Sequence, residues 1–135
     1  MKNKKIVFSI VAFLLLVNTV YALSNFVSIL GGLHNSNGSS NTISGTAKLS
    51  DSFKMYMTNI ENMSNGPIIV RMKAKRYNLG IVTNTRYYDI PVSGTTSTSS
   101  QGIFNYNSNA SKTKTEWTDL TNDSSVDAVF RAENN

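Results

Sequence analysis

Gly66-Pro67-Ile68-Ile69-Val70-Arg71-Met72-Lys73-Ala74-Lys75-Arg76 is the stretch whose reading decides the fold. It leaves a turn written Asn65-Gly66-Pro67 and then alternates. Ile68, Val70, Met72 and Ala74 fall on one side; Ile69, Arg71, Lys73 and Lys75 fall on the other. A period of two over this length builds a strand with one dry and one wet face. Working outward, the same period recurs. Ser52 to Asn59 sets Phe53, Met55 and Met57 against Lys54, Tyr56 and Thr58. Ile81 to Pro91 carries the β-branched and aromatic residues of a sheet. Ile103 to Asn107 puts Phe104 and Tyr106 together, and Thr113 to Thr118 does the same for Thr113, Thr115 and Trp117. The last segment, Ser125 to Ala132, turns Val126, Ala128, Phe130 and Ala132 inward. With Ile43 to Leu49 added, the pattern predicts seven or eight short strands with frequent turn signals, and no helical period follows Gly32. The expected fold is all-β, a small antiparallel β-sandwich.

The N-terminus reads differently. Met1 to Lys5 is short and basic, Ile6 to Val17 is apolar except for Ser9, and Val20 and Ala22 sit where a signal peptidase reads. The order is that of a secretory signal peptide cleaved after Ala22. The apolar run is too short for an uncleaved anchor, which needs ~20 residues. The expectation is a protein released outside the cell. The leader holds Lys2, Lys4 and Lys5, so a sequence of formal charge +5 becomes only mildly basic once it is removed. Such a balance gives no sign of a nucleic-acid partner, which needs a dense basic patch. There are no cysteines. That excludes disulfides, zinc-thiolate sites and thiol nucleophiles, and leaves stability to one core. The Asn, Ser, Thr and Lys content is of a kind associated with bacterial secreted proteins.

Three segments are expected: residues 1–22 as leader, 23–41 as an apolar arm with a flexible polar linker, and 42–135 as the sandwich. In the arm, Leu23, Phe26, Val27 and Leu30 match one stripe of a helix, which Gly31-Gly32 would stop; the segment is read as a short helix or an extended arm packed on the domain. A membrane-seeking helix lacks its basic face here, and a double-glycine leader does not go with so long an apolar run. Asn35 to Asn41 holds no apolar residue and reads as linker.

No spacing in the chain matches an active site. His34, the sole histidine, borders the polar tract and has no second imidazole with which to share a metal. Gly-x-Ser-x-Gly and phosphate-cradling glycine loops are absent. The acids are few and fall at turns or on outward positions. Asp119, Asn122, Asp123 and Asp127 form the densest oxygen cluster, a weak calcium candidate whose spacing fits no EF-hand. No cofactor is expected. Arg71, Lys73, Lys75 and Arg76 are read as one basic strand face, able to draw an anionic wall polymer, anionic lipid or an acidic glycan. Tyr56, Tyr77, Tyr87, Tyr88, Tyr106 and Trp117 are candidate stacking rings, Tyr56 and Trp117 foremost, against the commoner use of such rings in a core. Asn37-Gly38-Ser39 and three similar triplets match the glycosylation pattern and arise easily in so Asn- and Ser-rich a chain.

The expected function is a secreted, non-catalytic module binding a cell-envelope or extracellular polymer. The alternative is a bacteriocin-like or pore-forming toxin, with Ser93–Gly102 and Leu23–Leu33 as its inserting segments.

Overall fold

The computed structural model describes residues 23–107 and 110–135; the expected leader lies outside the described residues. The strands are β1 (Phe26–Ser36), β2 (Ser39–Ser40), β3 (Thr42–Ala47), β4 (Ser52–Asn62), β5 (Ile68–Asn78), β6 (Ile81–Val92), β7 (Thr95–Thr98), β8 (Gly102–Asn105), β9 (Lys112–Asp119) and β10 (Ser124–Asn134). They form two antiparallel sheets packed as a sandwich. The larger sheet runs β2-β1-β10-β4-β7, with β8 also pairing β4, and the smaller runs β3-β9-β5-β6. The predicted class holds, with ten strands among the described residues in place of seven or eight.

Alternation accounts for the core. Ile68, Val70, Met72 and Ala74 of β5 are buried, as are Phe53, Met55 and Met57 of β4 and Val126, Ala128, Phe130 and Ala132 of β10. Phe53 stacks on Phe104 at 5.1 Å between ring centroids, and Trp117 meets Phe130 edge-on at 5.7 Å. Flat and edge-on contacts between rings pack the narrow space between two sheets and add to the burial of their area.

Residues 23–41 depart from expectation. The stretch read as an arm and linker is strand and hairpin. β1 pairs with β10 from Phe26↔Glu133 to Asn35↔Ser124, so the first and last strands lie side by side within the larger sheet. Val27 and Leu33 enter the core, and the polar tract folds as the Asn37-Gly38 turn between β1 and β2. The glycine pair stops no helix. A Cβ on Gly31 would sit 2.9 Å from Ile43 Cδ1, and one on Gly32 would sit 2.5 Å from Asp127 Oδ1. Both glycines are places where another part of the chain comes close. Ser93–Gly102, the other segment named for insertion, contains β7, which pairs with β4 at Thr58↔Thr98, Ile60↔Thr96 and Glu61↔Thr95. Both segments named for membrane insertion are therefore tied into the larger sheet.

Candidate functional site

The outward side chains of the smaller sheet form a grid set by strand register. One row reads Thr42, Thr118, Arg71, Asp89 across β3, β9, β5 and β6. The next reads Ser44, Glu116, Lys73, Tyr87, and the third Thr46, Lys114, Lys75, Thr85. Beyond the end of β3 the last row is Lys112, Tyr77, Val82.

Charge is graded along this grid. In the first row Arg71 makes a two-pronged pair with Asp89, Nε to Oδ1 at 2.8 Å and Nη2 to Oδ2 at 2.9 Å. These donated hydrogen bonds hold the Asp89 carboxyl below the usual carboxylate range, and Asp89 in turn raises the Arg71 pKa. The Arg71 guanidinium also lies 4.1 Å from the Tyr87 ring centroid. In the middle rows three ammonium groups converge on a single carboxylate. Lys73, Lys75 and Lys114 stand 3.9, 3.5 and 3.4 Å from Glu116. Lys75 and Lys114 are direct cross-strand neighbours, a like-charge placement that costs stability unless an anion lies between or above them. One glutamate neutralises one of the three. Lys112 adds a further cation 5.2 Å from the Tyr77 ring. The face carries five cations against two carboxylates, flanked by two tyrosines.

The predicted residues separate over three places. Arg71, Lys73 and Lys75 share this face. Arg76 does not, because alternation turns it inward, where it is 1 % exposed. Its guanidinium donates to the Leu49 and Ser50 carbonyls at 3.1 and 2.9 Å and to Thr113 Oγ1 at 3.0 Å, and pairs with Asp51. Trp117 is fully enclosed and presents no ring to a ligand. Its polar strand-mates are satisfied inside: Thr115 Oγ1 donates to the Gly45 carbonyl, and Thr113 accepts from Arg76. Tyr56 lies on the outer side of the larger sheet, across the molecule from Lys73. Its hydroxyl donates to Glu133 Oε1 at 2.9 Å. Burial and that carboxylate raise the Tyr56 pKa, and the hydrogen bond lowers that of Glu133.

The calcium candidates are dispersed by the fold. Asp119 is buried and shapes its own turn, accepting from the Thr121 N–H and from Ser124 Oγ. Asn122 and Asp123 accept from the Gly38 and Asn37 N–H groups at 2.7 and 3.2 Å, latching the β1–β2 hairpin. Asp127 lies over Gly32 on an exposed outer position. Among the described residues no three His, Asp or Glu side chains are grouped to hold a metal. His34 is anchored more firmly than expected, on β1 opposite Ser125, beside an open hollow of about 390 Å³ that Asp123 also lines.

Sequence reasoning missed Lys112, Lys114 and Glu116, and it named Tyr77 and Tyr87 as rings without joining them to the basic face. A signal for the basic ones was present: between Glu61 and Glu116 the chain holds seven basic residues and one acid, Asp89. Comparison with protein-family models, curated proteins and solved structures gave no match.

Proposed function

We propose that the protein is a secreted, non-catalytic binding module whose smaller-sheet face takes an anionic cell-envelope or extracellular polymer. The observation that supports this most directly is the convergence of Lys73, Lys75 and Lys114 on the one carboxylate of Glu116. A flat array of cations one strand apart suits a chain of repeated phosphates or carboxylates better than a small ligand, which calls for a concave site. Tyr77 and Tyr87 beside the cations offer apolar ring surface to the backbone of a glycan.

Retention of the chain from Leu23 onward on isolated wall polymer tests the reading. The triple variant Lys73→Glu, Lys75→Glu, Lys114→Glu is expected to lose about a hundredfold in affinity, at roughly 1 kcal/mol per lysine beside an anionic surface. The parent is expected to elute as salt rises and shortens the screening length. Equal retention of parent and triple variant would sink the proposal.

A further inference from the structure

Two hairpins of this molecule use the same turn with different residues. Asn37-Gly38 joins β1 to β2 with φ values of 52° and 78°; Leu79-Gly80 joins β5 to β6 with the same two values. Positive φ at both central residues makes each a type I′ turn, whose first position favours Asn, Asp or Gly. The other non-glycine residues with positive φ among those described are Asn59 and Asp123. Leu79 is the exception, since its larger side chain is crowded in this conformation. No packing within the fold compensates for that, because Leu79 is 89 % exposed. Ile81 and Val82 beside it are 70 % and 47 % exposed. Leu79 and Ile81 lie beyond the last row, in which Val82 stands with Tyr77 and Lys112; there the Ser111 N–H bonds the Tyr77 carbonyl at 2.8 Å and Lys112 is the last residue paired with β5.

Behind the apolar tip the chemistry is layered. Tyr77 and Lys112 come first, then Lys75 and Lys114, and the first carboxylate on this face is Glu116, one row further back. An apolar tip, an aromatic ring and a collar of three lysines, two of which share one carboxylate behind them, follow the order of a bilayer surface from acyl boundary to anionic headgroup. We infer that the β5–β6 hairpin tip is an anchor for an anionic lipid surface, with Leu79, Ile81 and Val82 entering the acyl boundary while Lys75, Lys112 and Lys114 meet the headgroup phosphates. A groove on a protein partner would accept the same apolar residues but does not call for cations ringing them. The inference shares Lys75 and Lys114 with the polymer reading, but Leu79, Ile81 and Val82 take no part in that reading.

The test uses residues 23–135, which hold all ten strands, in co-sedimentation with phosphatidylcholine vesicles with and without phosphatidylglycerol. The parent is expected to bind only the vesicles containing phosphatidylglycerol. Leu79→Asn is expected to weaken that binding about tenfold, and addition of Ile81→Thr and Val82→Thr to abolish it. Because asparagine suits the turn, Leu79→Asn is also expected to raise the thermal midpoint by about 4 °C, which separates lost binding from lost folding. Its retention on wall polymer is expected to stay at the parental level. Absence of binding to phosphatidylglycerol vesicles would overturn the inference, and so would tip variants that bind as the parent does. If size-exclusion chromatography shows a parental dimer that Leu79→Asn dissociates, with vesicle binding unchanged, the tip's occupant is a second copy and the lipid assignment fails.

Discussion

The two outer faces of the sandwich are each organised around one glutamate, and they come to opposite balances. On the larger sheet Glu133 collects Lys54 at 3.4 Å, Arg131 at 3.7 Å and the Tyr56 hydroxyl. Lys54 and Arg131 also lie over the Tyr56 ring, at 5.6 and 5.8 Å. Asp127 and Glu61, cross-strand neighbours, complete a face with two cations and three carboxylates, an excess of negative charge. On the smaller sheet Glu116 receives three lysines and leaves positive charge over. The same device of one carboxylate between strands stands on one face among surplus carboxylates and on the other among surplus cations. Exposed ion pairs contribute little to stability, so the difference bears on what each face attracts rather than on how firmly it folds.

The largest effect is expected where both faces depend on one support. Trp117, next to Glu116 on β9, is fully buried and meets Phe130 of β10 in the opposite sheet, so Trp117→Ala should cost ~3–5 kcal/mol in denaturant unfolding. A loss under about 1 kcal/mol would mean that the faces rest on separate supports. Next comes exchange of the central carboxylates. Glu116→Gln should raise affinity for an anionic polymer about fivefold, the equivalent of ~1 kcal/mol. Glu133→Gln on the other face should leave it unchanged, and equal gains in a binding titration would erase the contrast. The smallest effect concerns acid. Glu133 and Asp89 have lowered pKa values in the folded protein, through hydrogen bonds from Tyr56 and Arg71. Their stabilisation is present above the ordinary carboxylate range, near pH 4, and is lost as pH falls through the lower folded values. Thermal midpoints followed from neutral to acid pH should fall through that window. Glu133→Gln should flatten the part due to the larger sheet and leave the Asp89 part in place.

The β class, the phase of nearly every core strand and the outward set Arg71, Lys73 and Lys75 were legible in the chain, because alternation is a local property. Arg76 stands in phase with Met72 and Ala74, yet an inward arginine has no sense until Leu49, Ser50 and Thr113 supply its acceptors. Thr113 and Thr115 gave Trp117 the look of a polar neighbourhood. Those hydroxyls bond partners that lie far off in sequence, and the ring is dry. β1 was left between helix and extended arm because its helical stripe is local, whereas the strand is held by β10 at the opposite end of the chain.

By itself the sequence determined the β class, most of the core strands and which face of each is apolar, and that basic residues crowd its middle third. The tertiary structure decided which strands are neighbours, and through them the sites. Glu116 gathers three lysines only because β9 lies beside β5. Leu79 is conspicuous only because the turn it occupies demands positive φ. Side-chain periodicity is written one strand at a time, but a charge balance belongs to a surface, and a surface exists only once strands distant in the chain have paired.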